Sequence, residues 1–282
     1  MSSGNYMEKL YSIFPWIEDP FTEEGLKRFQ ELLSVFKSII EHSWIRELIG
    51  KRRELRIVDL CSGTGIGGIA LSKILLGLGY KVDLTLIDLR KSALEKGLEF
   101  SRRELGFEPG IIVADMTREL DFEREFDLAL MWGYTTPHFN PWNWVKVLVN
   151  VNKALKSDGI FLYDETDRHY TIFISGRYEK VFPEEVREDK IVLSIHLSRD
   201  YESGFVKKII VDLESGRKTT MNVYFWDIAS SAAFAWLFFE DIDFKPLQTR
   251  YRGVLLCRKP REVTDMKKLL NETPTILKHE IK

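Results

Sequence analysis

Cysteine is nearly missing from this chain: Cys61 and Cys257 are the only two. With no Cys/His pair at zinc-ligand spacing, no structural metal is expected, and so few thiols point to a reducing cytoplasm. An excess of either charge is also missing. Forty-one basic residues face 43 acidic ones, for a net charge of −2, so no global basic field exists to hold a nucleic-acid duplex. A local basic patch stays open. Long apolar runs are absent too. The most apolar stretch, Ile228 to Phe239, is bounded by Asp227 and Glu240 and is too short to cross a bilayer. The first residues lack a basic segment followed by an apolar run, so no secretory leader is expected. Glutamine occurs only as Gln30 and Gln248 amid abundant Lys, Arg and Glu, a composition that leans toward a thermophile. There is no internal repeat and no G-x-S-x-G elbow.

What the chain does have is the stretch Ile57 to Leu71, IVDLCSGTGIGGIAL. Apolar residues lead into Asp59, four glycines follow (Gly63, Gly65, Gly67, Gly68), and an apolar run resumes at helical spacing. This predicts a strand, a glycine turn and a helix. Glycine lets the backbone turn through positive φ and lets a ligand lie almost against it. The helix N-terminus adds partial positive charge at the same spot, so a nucleotide-like ligand fits. The spacing of Gly63, Gly65 and Gly68 also suits a dinucleotide, which keeps a nicotinamide-dependent oxidoreductase in play. Asp59 argues against it. A carboxylate there repels a pyrophosphate and attracts an ammonium group, through a charge-assisted hydrogen bond worth about 1.5–3 kcal/mol.

The stretch resembles the first motif of class I S-adenosyl-L-methionine (SAM) methyltransferases, hydrophobic-x-D-x-G/C-x-G-x-G. That resemblance places Asp59, Cys61, Ser62, Gly63, Thr64, Gly65 and Gly67 at the amino-acid end of SAM. Val82 to Asp88, VDLTLID, resembles the second motif, in which an acid closes strand two and accepts from both ribose hydroxyls. Asp88 would hold the ribose, with Leu89 beside it. Asp88 also suits a helix cap for the segment from Lys91. Ala114-Asp115-Met116 stands where the family contacts adenine, although Asp115 also reads as a turn residue. FDLALMWG, residues 126–133, runs into an aromatic, proline-rich segment that the resemblance puts beside the sulfonium methyl. Met131 and Trp132 are expected at the cofactor. Tyr134 and His138 are the candidate catalytic groups, with Glu165 at the end of strand five as a third, suited to an amine substrate. Trp144 reads as core and Trp142 is undecided. Asp127 belongs to the familiar start of its strand and is expected to bond neighbouring backbone.

Strand and helix alternate from Leu55 to Ser157, which means βαβ units and a parallel sheet. The expected fold is α/β: a Rossmann-like, mostly parallel seven-stranded sheet with helices on both faces. An N-terminal helical cap (1–51) precedes the core (52–167 and 226–260), an antiparallel insertion (168–225) covers the active site, and a tail (261–282) closes the chain. The cap's long amphipathic helix is placed at Glu23–His42, and Tyr6 and Tyr11 are possible ligand contacts. The insertion reads as a three-stranded meander over 191–198, 205–213 and 218–225, offering Phe173, Arg177, Tyr178, His196, Arg199 and Tyr224 as pocket liners. A final helix is expected from Trp226 to Phe239. The function implied is methyl transfer from SAM to a nitrogen or oxygen of a small-molecule acceptor. RNA is the second choice, since the segment MWGYTTPHF lacks the N-P-P-Y/F signature of base N-methylation. A non-catalytic SAM-binding scaffold shares the fold. An oligomer is compatible with the meander's edge, and no membrane partner is expected.

Overall fold

The computed structural model describes residues 3–176, 178–263 and 265–278. Arg177, one of the expected liners, lies outside them. Three helices open the chain: α1 (Ser3–Tyr11), α2 (Glu23–Ile40) and α3 (Ser43–Gly50). Thr22 caps α2, its side chain accepting from Gly25 N, and two acids sit in the first turn against the helix dipole. The buried stripe of α2, including Phe29, Leu32 and Phe36, packs on one face of the main sheet.

That sheet alternates with helices as expected: β1 (Glu54–Leu60), α4 (Ile66–Gly77), β2 (Lys81–Asp88), α5 (Lys91–Leu105), β3 (Gly110–Val113), β4 (Phe126–Met131), α6 (Pro141–Ala154) and β5 (Leu155–Thr166). After an insertion come α7 (Ile228–Trp236) and the hairpin of the last two strands, Phe239–Leu247 and Thr249–Pro260. The insertion is a second, antiparallel sheet of four strands: β6 (Val181–Arg187), β7 (Lys190–Arg199), β8 (Val206–Asp212) and β9 (Lys218–Val223). The closing hairpin is therefore β10 and β11, and the main sheet runs β10-β11-β5-β4-β1-β2-β3. Six strands are parallel and β11 alone runs against them. The order reverses between β1 and β4, so a crevice opens at the carboxyl ends of β1, β2 and β4, where this class of sheet binds ligands.

Several elements differ from the sequence expectation. Residues 3–11 are helical, the insertion has a strand more than its turn signals indicate, and α7 stops at Trp236. The stretch FEDIDFKPL pairs antiparallel with β11, so Phe239 begins a strand instead of ending a helix. In the tail only α8 (Met266–Asn271) is a regular helix among the described residues. Trp144 is fully buried at the centre of the second core face, against Phe161, Tyr163 and Trp226. Asp127 accepts from Arg56 N at 2.9 Å and takes Arg52 and Lys156 on its other oxygen, tying the amino ends of β1, β4 and β5.

The insertion is joined to the core through α1. Leu10 and Ile13 pack with Val192, Val206, Ile210, Met221 and Val223 of the small sheet. The Tyr6 hydroxyl donates to Thr220 O at 2.8 Å, and Ser92 at the start of α5 donates to Glu8 at 2.7 and 2.8 Å. Thus α1 spans from the end of β2 to the insertion, directly over the crevice.

Candidate active site

The glycine turn is built as the sequence indicates. Gly63 and Gly65 have φ of +56° and +72°, and a Cβ on Gly67 would stand 2.9 Å from Trp132 Cβ. Non-glycine Cys61 also takes a left-handed conformation, φ +52°, and burial pushes its thiol well up. Asp59 accepts from Gly68 N through Oδ2 at 2.7 Å, which pins the start of α4 to the end of β1. Its Oδ1 is buried without a hydrogen-bond partner. Burial raises the Asp59 pKa to about 7; Asp88 and Asp164 push the same way, while Gly68 N–H and Arg28 oppose them.

Asp88 ends β2 facing the turn. Its Oδ2 accepts from Gly63 N at 2.7 Å, and its Oδ1 accepts from Arg90 N at 2.9 Å and Arg90 Nε at 3.3 Å. The helix-capping role at Lys91 goes to no side chain: Arg90 is the N-cap residue and makes no capping bond. Arg90 turns inward, donating to both oxygens of Glu18 at 2.6 and 2.8 Å, and lies over the Tyr11 ring.

Together these groups wall a cavity of about 540 Å³. Of the expected site residues, Cys61, Ser62, Gly63, Thr64, Gly67, Asp88, Leu89, Asp115, Met116, Trp132 and His138 line it. Asp59 and Gly65 stand behind the lining and shape the turn from beneath. Met131 is fully buried within the sheet, one residue before Trp132. Two candidates for catalysis are not at the cavity. Tyr134 sits beyond the turn with φ +54°, its N–H donating to Asp164 at 3.0 Å. Glu165 is fully buried and paired with Arg168, while Thr136 Oγ1 donates to it at 3.0 Å. The pleat turns Glu165 away from the crevice and Arg168 neutralises it, so it offers no carboxylate to a substrate. Its neighbour Asp164 instead holds the turn after β4, accepting from Gly133 N at 2.9 Å, and burial raises its pKa to about 7.

His138 does face the cavity, and it has a partner the sequence did not specify. Tyr11 Oη lies 3.1 Å from His138 Nε2. Burial lowers the His138 pKa to about 4, with the charges of Arg168 and Arg90 pushing the same way. Burial raises the Tyr11 pKa, so the phenol keeps its proton beside a neutral imidazole, and the imidazole tautomer sets which of the two donates. The insertion supplies Phe205 and Asn222, not the expected Phe173, Tyr178, His196, Arg199 or Tyr224. Phe173 and Tyr178 stack on each other instead, and Tyr224 packs on Trp226. Trp142 Nε1 donates to Glu202 O at 3.1 Å, which fastens α6 to the insertion.

Trp16, Glu18, Arg28 and Arg90 also line the cavity, and no motif marks them. Arg28 lies over Trp16, 4.7 Å from the ring centroid, and donates to Ile17 O. The Ser62 hydroxyl, on the cavity wall, is buried without a partner. Free acceptor capacity on Asp88, an unpartnered Ser62 hydroxyl, a glycine cradle and a guanidinium opposite them suit a ligand with ribose hydroxyls and an amino-acid end. SAM has both. Among the described residues no cluster of His, Cys, Asp or Glu is suited to a metal ion, and no helix is long and apolar enough to cross a membrane.

Comparison with known proteins agrees. Residues 57–159 match a family model described as a methyltransferase domain. No curated protein matches the chain in sequence. Among solved structures, the PH0226 protein of Pyrococcus horikoshii OT3 is similar at 20% identity and a TM-score of 0.61, over 89% of this chain and 98% of that one. An S-adenosylmethionine-dependent methyltransferase of Clostridium acetobutylicum is similar at 15% identity and a TM-score of 0.55, over 83% and 98%. The sugar N-methyltransferase KedS8 of a Streptoalloteichus species gives 15% and 0.53, over 83% and 88%. The strand order, the two acid-ended strands around the glycine turn and the matched domain lead to one assignment: residues 57–159 form a methyltransferase domain, on a sheet with the fold of the S-adenosylmethionine-dependent methyltransferases.

Proposed function

We propose that this enzyme methylates a small-molecule acceptor, at a nitrogen in preference to an oxygen. The observation that carries this reading is the roof. Tyr6, Met7 and Tyr11 of α1 cover the cavity from one side, and Phe205 and Asn222 of the insertion from the other. A polymer needs an open groove, whereas this chamber suits a cofactor and one small partner. A sugar N-methyltransferase among the fold neighbours supports the same choice.

In this reading SAM supplies the sulfonium methyl when bound. Asp88 holds the ribose hydroxyls, with Leu89 beside it. Asp115 and Met116 receive the adenine. Arg28 takes the carboxylate of the amino-acid end. The glycine turn, positioned by Asp59 through Gly68, takes the ammonium. Trp132 and Tyr11 present aromatic faces to positive charge, at about 0.5–2 kcal/mol per contact. His138, with its pKa held near 4, is too weak a base to ionise an alcohol at neutral pH. A nitrogen that reaches the site neutral needs no such base.

A panel of amines, alcohols and transfer RNA, scored by release of S-adenosylhomocysteine, tests this. Turnover is expected with an amine. Its kcat is expected to show no limb from His138 between about pH 5.5 and 8, since an unperturbed histidine titrates near ~6.5. Methylation of RNA alone, with retention lost steeply as salt rises, would reverse the choice of acceptor.

A further inference from the structure

The cavity's charges fall into two halves. At the glycine-turn end each cation is answered. Arg90 is held by Glu18 and Asp88, and Arg28 feels the carboxylates of Asp164, Glu18 and Asp59. At the opposite lip, formed by α6 and the loop after β3, two cations line the cavity unanswered. The side chains of Lys146 and Arg118 make no hydrogen bond and no ion pair with any described residue. The acid on this lip, Asp115, turns Oδ1 back onto Thr117, accepting from its N at 2.9 Å and its Oγ1 at 2.7 Å.

The lip's backbone is fixed in place, while the Arg118 side chain itself is exposed. Asn143, Lys146 and Asn150 follow one another at helical spacing on one face of α6. Asn150 clamps the loop that carries Arg118. Its Nδ2 donates to Met116 O at 2.9 Å and to Arg118 O at 2.7 Å, and its Oδ1 accepts from Leu120 N at 3.2 Å. Lys146 is half-buried there. Neither side chain meets a counter-charge among the described residues, which leaves that role to a ligand. The cofactor has none to bring: its one carboxylate belongs at Arg28, at the far end, and its adenine is neutral.

We infer that Lys146 and Arg118 form an oxyanion subsite for the methyl acceptor. The acceptor carries a phosphate or a carboxylate that docks on this lip, with Asn143 beside it and Phe205 and Asn222 opposite. The inference rests on the methyltransferase reading for what else the cavity holds. It also narrows that reading: the acceptor is an anionic small molecule with a neutral amine, not a plain organic cation.

The test is calorimetric. The full chain, saturated with S-adenosylhomocysteine, is titrated with inorganic pyrophosphate, inorganic phosphate and succinate in turn. The same titrations are run without S-adenosylhomocysteine, so that a failure of cofactor binding is scored apart from a failure of the lip. At least one oxyanion is expected to bind, and raised salt is expected to weaken it. Lys146→Met and Arg118→Gln are each expected to weaken it about tenfold or more, the loss of one charge-assisted hydrogen bond. The affinity for S-adenosylhomocysteine is expected to stay the same in both variants. Preference for the phosphates assigns a phosphate-bearing acceptor, and preference for succinate a carboxylate-bearing one. The subsite is overturned if none of the three binds at millimolar concentration, or if both variants bind as the wild type does.

Discussion

Replacing Asp88 with alanine is expected to weaken S-adenosylhomocysteine binding by about two to four orders of magnitude. In the proposed binding mode two hydrogen bonds from ribose hydroxyls to one carboxylate are lost, each worth about 1.5–3 kcal/mol. The loss is compounded on the protein side. Asp88 Oδ2 holds Gly63 N at 2.7 Å, and Oδ1 holds Arg90, so the variant also loosens the glycine turn and frees a buried guanidinium. Glu18 still pairs with that guanidinium, which keeps the N-terminal segment docked. Calorimetry gives the affinity, and a thermal melt of the same sample separates loss of the site from loss of the fold. An affinity within about tenfold of wild type would mean that the ribose is held elsewhere.

Gly65→Ala is expected to have the other large effect, through the backbone. Gly65 has φ +72°, and a Cβ there would lie 2.6 Å from Leu86 Cδ1. A left-handed alanine costs about 1–2 kcal/mol, and forcing a methyl into a packed site adds about 1–3 kcal/mol. The thermal midpoint is expected to fall by roughly 5–10 °C. Binding is expected to weaken as well, because Gly65 N donates to Ser62 O within the turn that carries the ligand. Gly77→Ala is the control. Gly77 ends α4 with nothing within 4 Å of its added Cβ, so its midpoint is expected to hold or rise. Equal melting of both variants would mean that the turn relaxes freely and that its glycine is not required.

Gly65 also shows what was legible in the sequence. A strand, a glycine turn and an apolar helix are local patterns, and Asp59 and Asp88 stand at fixed places within them. The sheet order and most of the ligand-facing turn follow from such local signals with the right-handed crossover rule. Residues 3–11 do not. SGNYMEKLY is short, and it folds as a helix because Leu10, Met7 and Tyr11 dock on valines and a methionine of strands some two hundred positions away. No local signal reports that contact, so the sequence does not show that Tyr11 and His138 meet. Arg28 was hidden differently. On an amphipathic helix it looks like its neighbour Lys27, and only the tertiary fold turns it toward Trp16 and Gly133. Glu165 failed as a candidate for a third reason. The end of a strand fixes which edge a residue lies on, whereas its orientation and its pairing with Arg168 depend on how the insertion leaves the sheet. The liners from the insertion followed the same rule, since an alternating pattern gives two faces without saying which one meets the crevice.

The central claim is that this cavity holds SAM, not a dinucleotide. The most direct measurement is calorimetric titration of the wild-type chain with S-adenosylhomocysteine, with NAD as the control. The structure predicts micromolar binding of the first and none of the second. Binding of NAD, or of neither compound, would contradict it.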